Sequence, residues 1–183
     1  MTIPQGVNGV ELYPSYYNRL VDISKSNIFK FNYVVDADNT EYLIEKDVEN
    51  KLIKPFIAKL GYSEKDYIQQ MYIEIGNHNH ALIPDFVVNP TVSKGHYSAD
   101  FIIEAKLTIP TQKFLEQTKT QARSYANMLK VKYAVIASKE GIWIVSSADD
   151  FSEELLLFSW QQLNNEDVFY KVLSVLGKGK LKR

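Results

Sequence analysis

The 183-residue chain has no cysteine, which excludes disulfides, zinc–thiolate centres and thiol nucleophiles and fits a reducing compartment. No apolar run approaches the roughly 20 residues needed to span a bilayer. The start, MTIPQGVNGVELYPSYY, has neither the basic opening nor the apolar stretch of a signal peptide. A soluble, cytoplasmic protein without membrane contact is expected. Net charge is missing too, because 21 basic against 22 acidic side chains leave −1. That balance argues against gripping nucleic acid by bulk electrostatics, so any DNA contact must be local. There is no glycine-rich phosphate loop of the form GxxxxGK(S/T), no nucleophile elbow, no Ser-His-Asp arrangement and no internal repeat.

What is present is a globular composition, 45% hydrophobic and 23% charged, in a chain long enough for one domain with its own core. Residues 1–40 read as an extension packed on that core, with a short helix around Ser15 to Ile23 and a strand at FKFNYVV. Residues 41–183 read as the single domain. From Glu41 to Leu60 the period is helical, with Val48, Leu52, Ile53, Phe56, Ile57 and Leu60 in one stripe, Pro55 as a bend and Gly61 as the stop. Strands are expected over Tyr67 to Ile75, Ala81 to Val88 and Ala99 to Lys106, separated by the turn-formers GNHNH and NPTVSKGH. A helix over Gln112 to Lys130 follows, then a strand pair in KYAVIAS and IWIVSS, and a last helix from Glu166 to Leu176. The tail GKGKLKR reads as a solvated end or the start of a linker. This order predicts an α/β fold with a central mixed sheet flanked by helices.

The charges are the informative part. On a strand, side chains alternate faces, so Asp100, Glu104 and Lys106 share one face while Phe101, Ile103 and Ala105 take the other. Asp85 falls opposite Phe86 and Val88 by the same rule. At about 100° per residue, Glu45 and Glu49 lie inside the apolar stripe of the first helix. Burying such groups costs several kcal/mol unless they have a partner, a metal or a task. Two strands carrying Asp85 and then Glu104 with Lys106 can set two carboxylates and an ammonium around one point. Oxygen donors of this kind suit Mg²⁺, and a metal beside a lysine suits phosphodiester hydrolysis.

In these residues the chain resembles the PD-(D/E)xK nuclease superfamily, with Pro84-Asp85 as PD and Glu104-Ala105-Lys106 as ExK. More narrowly, it resembles the N-terminal nuclease domain of the type I restriction enzyme R subunit. Four stretches line up in order: EKDVENKLIKPFIAKLGY at 45–62, PDFVV at 84–88, DFIIEAK at 100–106 and QARSYA at 121–126, which holds a Gln-x-x-x-Tyr motif. The likeness spans about residues 41–146.

The resemblance implies a restriction-endonuclease-like fold and a Mg²⁺-dependent DNA endonuclease, with Mn²⁺ as a substitute, belonging to a restriction or related defence system. It implies that Asp85, Glu104 and the Ala105 carbonyl hold the metal and that Lys106 assists the attacking water. It places Glu45 at the first helix's acidic position, with Glu49 one turn on as the alternate, and gives Gln121 and Tyr125 the task of bracing the site or touching the DNA backbone. Implied partners are DNA, a helicase motor or specificity subunit, and a second copy of the chain if both strands are cut. Two departures stand out: the family commonly has a basic residue at position 49, and the motor that follows the nuclease in R subunits is not in these residues.

Plainer readings stand beside these. Glu104 and Lys106 alone would make a strand ion pair. Glu45 would suit a helix N-terminus by charge alone. Asp100 reads as structural, and His78, His80 and His96 as exposed loop residues. A nucleic-acid-binding or assembly module without catalysis is the alternative function.

Overall fold

The computed structural model describes residues 41–74, 81–93 and 95–180. The expected N-terminal extension, with its helix around Ser15 to Ile23 and its FKFNYVV strand, lies outside the described residues. So do the GNHNH turn with His78 and His80, and Lys182 and Arg183 of the tail.

The first helix starts later than its periodicity suggests and is not uniform. It runs as an α segment Glu45–Val48, a π segment Glu49–Ile53 and an α segment Lys54–Lys59, together α1. Asp47 sets the start, its carboxylate accepting the Leu43 and Ile44 N–H groups at 3.0 and 3.2 Å, donors that a helix N-terminus leaves over. Pro55 sets the break. Having no N–H, it is tolerated in the first turn of the closing α segment, where no donor is needed. The turn before it widens, with the Lys54 N–H reaching back to the Glu49 carbonyl. Val48, Leu52, Ile53, Phe56, Ile57 and Leu60 are all buried, so the apolar stripe is the packing face.

The centre of the molecule is a six-stranded sheet. Its members are β1 (Tyr67–Gln69), β4 (Phe86–Val88), β7 (Phe101–Ala105), β8 (Tyr133–Ser138), β9 (Gly141–Ser146) and β10 (Glu154–Ser159), side by side in that order. Only β7 and β8 pair in parallel. The chain between them is helix α2 (Gln112–Met128), a crossover that a parallel pair requires. Two short ribbons lie outside this sheet: β2 (Ile73–Glu74) with β3 (Ala81–Leu82), and β5 (Thr91–Ser93) with β6 (His96–Ser98).

Alternation sorts the sheet's side chains into two cores. Phe86, Val88, Phe101, Ile103 and Ala105 pack with α1 and the last helix, α3 (Glu166–Leu176). Val87, Ile102, Ala134 and Ile136 pack beneath Leu115, Ala122, Tyr125 and Ala126 of α2. The result is a mixed α/β domain, helices covering both faces of a mixed sheet.

Two strand expectations need correction, and one strand is not expected. The strand expected over Tyr67 to Ile75 is two, because Gln70 takes a left-handed conformation (φ 49°) and sends β2 away from the main sheet. The strand expected over Ala81 to Val88 is also two, since Pro84 cannot donate to a ladder, and Asp85 sits at the bend before β4, not on a strand. Finally, β10 is absent from the sequence expectation. It is an edge strand whose Leu155 and Leu157 are exposed, so its apolar run does not alternate.

Smaller differences follow from side-chain bonds. Within and just after NPTVSKGH, Thr91–Ser93 pairs with His96–Ser98 as β5 and β6, with His96 exposed at the start of β6. The tail is not free at Lys178, whose ammonium bonds Asp66 at 2.8 Å while its N–H bonds the Leu60 carbonyl. No helix among the described residues is long and apolar enough to cross a membrane.

Candidate metal centre

One end of the sheet gathers the charged residues. In the β4–β7 pair Phe86 faces Ile103, so continuing the register by one step sets Asp85 opposite Glu104. In the β1–β4 pair Gln69 faces Phe86, and the Gln70 N–H bonds the Asp85 carbonyl at 3.0 Å. The end of β1, the bend before β4 and the end of β7 therefore meet. The N-terminal half of α1 reaches the same place, because Glu45, Glu49 and Asp85 can each offer a carboxylate oxygen within 4.8 Å of the others. Both Glu45 and Glu49 lie beside Asp85.

Asp85 is tied to β7 by its side chain. Its Oδ2 accepts the Ala105 N–H at 2.7 Å. Lys106 Nζ lies 2.6 Å from Glu104 Oε1 and donates to the Ala105 carbonyl at 2.9 Å. That carbonyl thus already has a partner, and a cation there would share it with Lys106. Glu104 is buried, and its second oxygen, Oε2, has no donor among the described residues; a bond between the Asp85 and Glu104 carboxyls needs a proton on one of them. A buried acceptor without a donor is costly, and a proton or a cation would satisfy it.

The electrostatics match this crowding. Burial, then the neighbouring Asp85 carboxylate, pushes the Glu104 carboxyl up to about 7 against the pull of Lys106. Burial also raises Asp85, although its bond from Ala105 opposes the shift. Glu45 is raised as well, chiefly by burial, with Lys106 opposing. For Lys106, burial works to lower the ammonium's value, but the bond to Glu104 and the charges of Glu45 and Asp85 outweigh it and hold the value above the usual one. Four carboxylates against the ammonium groups of Lys106 and Lys46 leave an excess of negative charge, and hard oxygen donors of this set fit Mg²⁺ or Mn²⁺.

Two residues at this centre are not among those expected from the sequence. Gln69 Nε2 donates to Glu49 Oε2 at 2.9 Å, and Lys46 pairs with the same oxygen. The Lys46 contact is an i, i+3 helix pair visible in the sequence, whereas Gln69 arrives only through the register of β1 on β4. Gln121 and Tyr125 bond each other, Nε2 to OH, at 2.9 Å. Tyr125 lies on the buried face of α2, and Gln121 is exposed. Asp100 belongs elsewhere: it precedes the opposite end of β7, about 13 Å along the strand from Glu104, and accepts from Asn89 at 2.9 Å and Tyr62 at 3.4 Å.

The sequence matches no protein-family model and no curated protein. A function must therefore be argued from the side chains themselves.

Proposed function

We propose that the protein is a metal-dependent phosphodiester hydrolase acting on DNA, on a restriction-endonuclease-like fold of the PD-(D/E)xK kind. The observation that carries this reading is the meeting of Glu45, Glu49 and Asp85 within 4.8 Å, beside a buried Glu104 with an oxygen that has no donor among the described residues. Such an assembly destabilises the fold unless something cationic repays it. Glu45, Glu49, Asp85 and Glu104 would hold Mg²⁺, or Mn²⁺ in its place, with the Ala105 carbonyl within reach of the same ion. When bound, the ion supplies Lewis-acid polarisation of a phosphoryl oxygen and a more acidic water.

The chain's own residues do the rest. Lys106, half-buried and fixed by Glu104 and the Ala105 carbonyl, presents an ammonium beside the acids, where it would orient a water or neutralise charge developing on phosphorus. Asp85 locks β4 to β7 through Ala105, which holds the PD and ExK stretches in register. Because the chain carries no bulk positive charge, affinity for DNA would come from local contacts, from a motor or specificity subunit, or from a second copy whose site cuts the other strand.

A catalytically silent nucleic-acid-binding or assembly module is the second reading. The observation in its favour is the ion pair Lys106–Glu104, which uses the Lys106 ammonium on a partner within the chain. Supercoiled-plasmid nicking at low salt, with Mg²⁺ and with Mn²⁺, separates the two. The hydrolase reading expects metal-dependent nicking by the wild type and none by Lys106→Ala. Absence of nicking by a folded, cation-binding wild type would favour the silent module.

A further inference from the structure

Glu49 is nearly fully buried, and both donors that reach it converge on one oxygen, Oε2. Lys46 comes from α1 itself and is largely exposed, so solvent screens its charge. Gln69 comes from another element, the last residue of β1, and brings a donor without any charge. The next residue, Gln70, sits in the left-handed region at φ 49° and donates its N–H to the Asp85 carbonyl at 3.0 Å. Two consecutive residues thus hold two of the three acids that meet at 4.8 Å.

We propose that Gln69 is a positioning residue that turns the Glu49 carboxylate so that Oε1 faces the acidic cleft as a cation ligand. The inference rests on the metal-site reading above and adds what orients its least expected ligand. A carboxylate that accepts two bonds on one oxygen has lost rotation about its terminal bond, and its other oxygen is committed to one direction. A neutral amide is the suitable donor here. A lysine or arginine at position 69 would compete with the cation for the same charge, and a carboxylate would repel Glu49. The left-handed turn at Gln70 ends β1 at this point, which leaves the Gln69 side chain at the sheet's end, level with Phe86 and next to the bend that carries Asp85.

The test is calorimetric titration of the full chain with MnCl₂, comparing wild type with Gln69→Met, which keeps length and loses the donor. Losing a partner that orients a metal ligand typically weakens affinity about 10–100-fold, and that loss is expected here. The melting midpoint of the metal-free variant should stay near that of the wild type. Gln69→Asn, too short to reach Glu49 but polar, should show the same loss and serves if the methionine variant does not fold. A variant that melts lower yet binds Mn²⁺ as tightly as the wild type would overturn the proposal, reducing Gln69 to a partner for a buried acid. A wild type that takes up no Mn²⁺ would instead sink the metal-site reading, and the orienting role with it.

Discussion

The Asp85 carboxylate accepts the backbone N–H of Ala105 at 2.7 Å, across the gap between the bend before β4 and the end of β7. Ala105 is fully buried, so this bond satisfies a donor that has no route to water. Asp85 therefore has a structural task as well as its place among the acids. Asp85→Asn keeps an acceptor and should leave the fold intact while weakening Mn²⁺ binding. Asp85→Ala strands the Ala105 donor and should be less stable than the asparagine variant by about 1–3 kcal/mol. Denaturant unfolding of the pair measures the difference, and equal stabilities would show that the bond contributes nothing.

Lys106 is the ammonium that bonds Glu104 and the Ala105 carbonyl, while Lys46 pairs with Glu49. Lys106→Met should lower metal-dependent nicking by roughly 100-fold or more, the scale on which positioned proton-transfer or charge-stabilising groups act. It should also move Glu104 further up, since Lys106 is what pulls that carboxyl down. The remaining cleavage should then need a higher pH than the wild type does. Cleavage within twofold of wild type at every pH would remove Lys106 from the chemistry.

Glu104 makes the metal-free protein sensitive to pH in a defined direction. Its value rises from 4.5 to about 7 on folding, so between those values the native state holds a proton that the unfolded chain has released. Stability from this group is full below the unfolded value and is lost as pH rises through about 7. Asp85 and Glu45 are raised too and act in the same sense. The metal-free wild type should therefore melt progressively lower from mildly acidic to mildly basic pH, and Glu104→Gln should flatten that slope and melt higher than wild type at the basic end. Added Mg²⁺ should counter the loss, with a larger upward shift in midpoint as pH rises, because the cation binds the deprotonated acids. A wild type and variant with superimposable pH profiles would show that Glu104 is ionised throughout.

Much of this was legible in the residues. The stripe from Val48 to Leu60 is read from period alone, because burial on one helix face leaves a periodic trace. Glu45 and Glu49 show as acids inside that stripe, and Asp85 and Glu104 as acids among strand residues. What hid were the features that depend on a second element. The break at Gln70 leaves no mark, since glutamine is not a turn-former and the Asp85 carbonyl that its N–H meets lies on another segment. Gln69 looks like any polar strand residue until the register sets it beside Glu49. β10 is not expected at all: its run of leucines does not alternate in sequence, and hydrophobicity says nothing of which strand lies at an edge. Pro84 and Pro55 were visible, and each marks an interruption, one of the ladder before β4 and one of the α-helical turn in α1.

Gln121 and Tyr125 divide their work between core and surface. The Tyr125 ring is buried with Ala122 and Leu129, while its hydroxyl accepts from the exposed Gln121 amide at 2.9 Å. The bond fixes a surface amide to a rigid ring, which is what a contact to a phosphate backbone would use: a donor held still costs less entropy on binding. Tyr125→Phe keeps the ring and frees Gln121, so stability should change by about 1 kcal/mol or less. Duplex binding, followed by fluorescence anisotropy at low salt, should weaken, and Mn²⁺ affinity should not move, because neither side chain bonds the acids. Unchanged duplex binding would return the pair to a purely structural role. A loss of Mn²⁺ affinity would place it behind the metal site, acting through the sheet face on which α2 packs.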